Sequence, residues 1–137
     1  MTEKFNDATI NRPEGERPLD APIIRIDLHE LIQQIKDEKA WKKNDRNAIT
    51  VFKTAGMTIV LVALHEDASV NPHSIEGITS IQLLEGRLQI LNSGEAMDVK
   101  EGQIITVKAK IDHTIIAIRK SIFLLTVAGN YGNGVDV

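Results

Sequence analysis

A chain of 137 residues is long enough for one domain with a single core and too short for two ordinary ones. Hydrophobic residues make up 42% of it, which excludes intrinsic disorder, and a net charge of −3 leaves no electrostatic footprint for nucleic acid or an anionic membrane. Cysteine is absent, so disulfide and thiolate chemistry are excluded as well.

The first residues, MTEKFNDATINRPEGERP, lack the apolar core of a signal peptide, and no apolar stretch approaches the roughly 18 to 20 residues that cross a bilayer. A cytoplasmic protein is the expectation. Residues 1–22 are polar and hold Pro13, Pro18 and Pro22, the composition of an N-terminal arm or a frayed terminus. The short run Ile23-Ile24-Arg25-Ile26 that follows is β-like.

A helix is predicted over residues 27–43. Asp27 is placed to cap it, with Glu30 three residues on in the capping-box position. Leu28, Leu31, Ile32 and Ile35 then recur at the spacing of one helical face, and Gln33, Gln34, Lys36, Asp37 and Lys39 cover the other. Trp41, the only tryptophan, is expected to pin the helix to the rest of the domain. His29 reads as a surface residue and His65 as a turn residue.

From Ala48 onward the period changes from helix to strand. Short β-branched runs lie at 49–52, 57–65, 78–84, 88–91, 104–107, 115–118 and 122–127. Turn signals separate them at Ala55-Gly56, Glu66-Asp67, Glu85-Gly86, Asn92-Ser93-Gly94 and Glu101-Gly102. This spacing predicts an all-β sandwich or barrel. The run from Met57 to Leu64 is apolar on both faces, so one face fills the barrel and the other lies against the helix or a partner chain.

Two histidines and two glycines keep a register that resembles the cupin superfamily, small double-sheet jelly rolls. His73 falls on the first histidine of that family's first motif and Gly86 on its closing glycine. Gly102 and His113 fall in place in the second motif. The opening glycine, second histidine and glutamate of the first motif are here Asp67, Ile75 and Thr79. The Pro, Gly and Asn of the second are Lys108, Lys110 and Ala117. The resemblance spans roughly residues 48–127. It implies an RmlC-like fold, a cupin-type double-stranded β-helix with one N-terminal α-helix, and a degenerate metal site. The expected organisation is an arm at 1–22, a single domain at 23–130 with its helix at 27–43 and barrel at 48–127, and a tail at 131–137.

The resemblance offers His73 and His113 as metal ligands for iron, zinc, manganese or nickel, where a catalytic site needs three protein ligands. Glu76, Gln82 and Asp112 are the candidates for the third, each with the wrong strand parity. No cofactor is firmly expected. The expected ligand pocket is lined by His73, Ile75, Thr79, Leu83, His113 and Ile115.

Three functions follow: a small-molecule binding or sensing barrel, a metal-dependent oxygenase or isomerase with an unusual ligand set, and a packed barrel acting through its surface. A metal-free use of His73 as a general base, oriented by Asp112 or Glu76, would need Arg87 and Arg119 as an anion clamp. The first function, and no enzyme, is the reading favoured by an incomplete ligand set. The two-faced apolar strand, the one-sided helix and the arm together predict a homodimer.

Overall fold

A computed structural model describes residues 19–71 and 76–129. His73, Ile75, most of the predicted arm and the tail lie outside the described residues.

Chain entry is fixed at Leu19, whose carbonyl accepts the Lys53 N–H at 2.9 Å. The run 23–26 is not a strand, contrary to the sequence reading, and Ile23 is 91% exposed. Its three isoleucines make no ladder pairing with any strand among the described residues.

The predicted helix is present but broken in two: α1 at Leu28–Asp37 and α2 at Lys39–Lys43. Asp27 caps α1 as expected, its side chain accepting the Glu30 N–H at 3.3 Å. The break is at Glu38, whose extended backbone turns its side chain inward. Its buried carboxylate accepts from Gln34 Nε2 at 3.0 Å and from Asn47 Nδ2 at 2.9 Å. Asn47 Nδ2 also donates to the Ile35 carbonyl, which α1 leaves unpaired at its end. The kink is thus a polar joint, satisfied from β1.

Seven strands follow among the described residues: β1 Arg46–Thr54, β2 Met57–Leu64, β3 Ser69–Val70, β4 Ile78–Asn92, β5 Glu95–Lys100, β6 Ile104–Val107 and β7 Thr114–Ala128. All pairings are antiparallel. β4 and β7 are 15 residues each and pair along almost their whole length. The first half of β4 and the second half of β7 join β6, β2 and β1 in one layer. Their other halves join β5 and β3 in the second layer.

Gly86 is therefore not the tight turn between two strands that its sequence context suggests. It is the corner at which one continuous strand passes from layer to layer, with φ +99°. Its N–H donates to Glu101 Oε2 at 2.8 Å, and the next N–H, of Arg87, donates to Ser121 Oγ at 3.0 Å. The 115–118 and 122–127 runs are likewise one strand, β7, bending opposite this corner. By contrast, Asn92-Ser93-Gly94 does turn a hairpin, into β5. Ser93 and Gly94 both have positive φ, the type I′ pattern that matches strand twist.

Strand alternation divides the apolar residues into two clusters. Val60, Val62, Leu83, Leu88, Ile115 and Phe123 belong to the barrel interior. Ile49, Leu61, Ala63 and Ile122 point outward and meet Leu31, Ile35 and Trp41 of the two helices. The outer face of β2 is thus covered at Leu61 and Ala63 by the helices of its own chain.

Candidate functional site

His113 precedes β7 and shares the inward parity of Ile115 and Ala117, so its ring turns into the sandwich and is only 4% exposed. Its Nδ1 lies 3.0 Å from the Ile111 carbonyl. A carbonyl only accepts, so Nδ1 carries a proton, and in a ring with a single proton Nε2 is then an acceptor. That Nε2 is enclosed and has no hydrogen-bond partner among the described residues. The backbone that carries the ring is tied down by Asn92, whose Nδ2 donates to the Asp112 carbonyl at 2.6 Å.

Beside the ring a cavity of about 290 Å3 opens between the edges of β5 and β6. Its walls are Ile90, Ala96, Met97, Ile105, Val107 and Ile111, with Asn92, Glu95, Thr106, Lys108 and His113 supplying polar groups. Met97 faces inward because it is the ladder partner of Ile90. Met97 and Ile111 remain exposed at the mouth. A second, more open hollow is lined by Asn71, the β4–β5 turn, His113 and Thr114. Asn92 and His113 line both.

Of the other residues singled out in the sequence, Thr79, Leu83 and Ile115 also turn inward and are buried. Thr79 pairs in the ladder with Val107 of the cavity wall. Leu83 and Ile115 belong to the packed core. The cavity residues of β5 were not legible because Glu-Ala-Met-Asp-Val-Lys is too polar to read as a strand. The inward parity of Ile105 and Val107 was the signal available for β6.

The candidate third ligands do not converge on His113. Glu76 is on the surface, 3.8 Å from Lys110 Nζ. Gln82 has the opposite parity to buried Ile81 and Leu83, and the Asp112 side chain is exposed. Among the described residues no group of three His, Cys, Asp or Glu side chains could hold a metal ion. The described residues therefore do not fit the three-ligand site that the fold family's motif implies. Arg87 and Arg119 are ladder partners on the outer face of the second layer, and Arg87 Nη2 is 3.9 Å from Asp98. They face away from the cavity and cannot clamp an anion within it.

Set against known proteins, no family model and no curated protein matches this sequence. Solved structures do. A conserved protein of unknown function from Streptococcus pyogenes superposes with a TM-score of 0.67 at 23% identity, over 83% of this chain and 96% of that one. A cupin superfamily protein from Desulfitobacterium hafniense gives 0.61 at 18% identity, over 64% and 80%. An RmlC-like cupin with a double-stranded β-helix fold, from Methanocaldococcus jannaschii, gives 0.58 at 17% identity, over 62% and 81%.

The fold is that of a cupin.

Within this cupin fold the structure holds a second polar cluster, outside the cavity. His65, which the sequence suggested was a plain turn residue, stacks on Trp41 with ring centroids 3.5 Å apart and planes 11° apart. Its Nε2 donates to the Trp41 carbonyl at 2.7 Å. Arg46 Nε, 2.8 Å from Asp45 Oδ1, holds the Asp45 carboxyl below its ordinary value. This cluster fastens α2 to the start of β1 and the end of β2. Among the described residues no helix is long and apolar enough to cross a membrane.

Proposed function

We infer that this cupin-fold chain is a small-molecule binding barrel that works without a metal, its ligand held in the cavity between β5 and β6. The observation that carries the reading is the His113 ring. One nitrogen is spent on the Ile111 carbonyl, and the other is an enclosed acceptor without a partner among the described residues, at the wall of an apolar cavity. An unsatisfied buried polar atom costs about 1–3 kcal/mol, so it marks a place where a bound group restores a hydrogen bond.

Apolar walls with few convergent polar groups are the usual make-up of a binding site, and about 290 Å3 is at the small end of the range. The chemistry selects a compact, largely apolar molecule that presents one O–H or N–H donor to Nε2. Because Nε2 is enclosed, binding is coupled to a side-chain adjustment beside the ring. The role proposed for the site is binding or sensing.

The test is a thermal-shift screen of small apolar alcohols, phenols and amides, run with metal analysis of untagged protein. Hits are expected to stabilise the wild type and to lose at least about tenfold in affinity in His113→Ala, the loss of one buried hydrogen bond. Met97→Asp, at the exposed mouth, is expected to weaken the same hits without unfolding the domain. Equal stabilisation of His113→Ala, or no hit on the wild type, would overturn the reading. So would about one equivalent of iron, zinc, manganese or nickel that disappears in His113→Ala.

A further inference from the structure

The outer face of the second layer carries charged groups that the cavity does not use. Leu88 and Val99 turn inward and are fully buried, so Arg87 on β4 and Lys100 on β5 turn outward as ladder partners. On the other side of β4 the register slips. Leu88 pairs with Ala117, yet Arg87 pairs with Arg119, which leaves Ile118 as an extra residue in β7. In an unbroken ladder Ile118 would stand opposite Arg87, and the slip puts Arg119 there instead. A bulge of this kind re-aims a side chain. Arg119, Arg87 and Lys100 therefore form one row across three strands.

Like charges directly opposite one another destabilise a sheet, and the surroundings do little to neutralise this row. Asp98, in the next row with Gln89 and Ile116, approaches only Arg87, at 3.9 Å from Nη2. The Glu101 carboxylate is engaged by the Gly86 N–H. Arg119 and Lys100 are exposed and make no ion pair among the described residues. Arg87 Nε is enclosed and has no acceptor among the described residues. A row of three cations thus stands in a chain whose net charge is −3.

We propose that this row is a binding site for a phosphoryl dianion, separate from the cavity. Neighbouring strands lie about 4.8 Å apart, so the three side chains start within about 10 Å and are long enough to close on one group. Each guanidinium offers paired N–H donors to two oxygens of an oxyanion, and the ammonium adds a point charge. Reorientation of Arg87 gives its Nε–H the acceptor it lacks. Charge selects the ligand class. Three cations and one carboxylate on this face leave two positive charges, which a dianion balances and a single carboxylate does not. The row lies on the opposite side of the sheet from His113, so the two sites are separable.

The full chain is titrated with inorganic phosphate and, separately, with phenyl phosphate, followed by amide and arginine Nε–H shifts. The titrations run at about pH 8, where a monoester carries two charges, with chloride holding ionic strength fixed. Saturating shifts are expected at the Arg87 Nε–H and at the amides of Arg87, Lys100 and Arg119, with phosphate at least about tenfold tighter than acetate. Arg119→Gln and Lys100→Gln should each weaken phosphate at least about fivefold yet melt no lower than the wild type, because each relieves a like-charge contact. Equal affinity for the two ligands names the free ion as occupant, and tighter phenyl phosphate names a phosphorylated molecule. Shifts that never saturate, acetate as tight as phosphate, or unchanged phosphate affinity in both variants would overturn the proposal.

Discussion

Gly86→Ala is expected to destabilise the domain by at least about 3 kcal/mol, enough to lower the melting temperature by about 10 °C or more. Two penalties combine at this corner. The backbone sits at φ +99°, where an L side chain is strained. A Cβ there would also overlap the Lys120 carbonyl oxygen and lie 2.7 Å from Ser121 Cα, both on the backbone of β7. The neighbours cannot yield without displacing the crossing of β7 between layers. Gly94→Ala is the matched control: its φ is +82°, but a Cβ would meet nothing within 4 Å. It is expected to cost only about 1 kcal/mol. Equal melting temperatures for the two variants would show that Gly86 is not a close-packed corner.

Trp41→Ala is expected to cost about 3–5 kcal/mol, the range for removing a large buried aromatic side chain. Trp41 is 8% exposed and belongs to the outer cluster with Leu31, Ile35 and Ile122. Its removal takes away the surface on which His65 stacks. The barrel interior is a separate cluster, so the loss should be local. Amide exchange should accelerate across 28–43 while the β4–β7 ladder stays protected. His65→Ala removes the same stack and the bond to the Trp41 carbonyl but leaves the indole in place, and its effect should be smaller. Uniform loss of protection across the β4–β7 ladder would instead mean that helix and barrel form one cooperative unit.

Much of the architecture was legible in the sequence. The change of period near Ala48, the two-sided run of β2 and the Asp27 cap each correspond to what the fold shows. Local signals failed where the cause was non-local. Glu38 has no helix-breaking chemistry of its own, and the break depends on Asn47 reaching across from β1. Glu85-Gly86 is a turn-like pair in any short window, and only the partner strand β7 decides that it is a corner. β5 was invisible because five of its six residues are exposed.

The candidate site was legible in a different way. The family resemblance pointed to His113 and to the inward positions Thr79, Leu83 and Ile115, because strand parity is a property of sequence. It could not say which inward positions face a void and which face packed side chains. The void lies beside Ile90, Met97 and Val107, between the edges of β5 and β6. The tautomer of His113, which makes its Nε2 an acceptor, depends on the Ile111 carbonyl two residues away and on the turn between them. No pattern of residue types encodes that bond.

The account rests on His113 and its cavity, and the most direct measurement is a ligand titration followed by long-range 1H–15N spectra of the His113 ring together with backbone amide shifts. The unliganded ring should show a protonated Nδ1 and a bare Nε2. Addition of the best hit from the screen should move the Nε2 signal and the amides of Ile90, Met97, Ile105 and Val107 with one common saturation curve. An Nε2 that carries the proton, or amide shifts that map to another face while the ring signal stays still, would contradict the account.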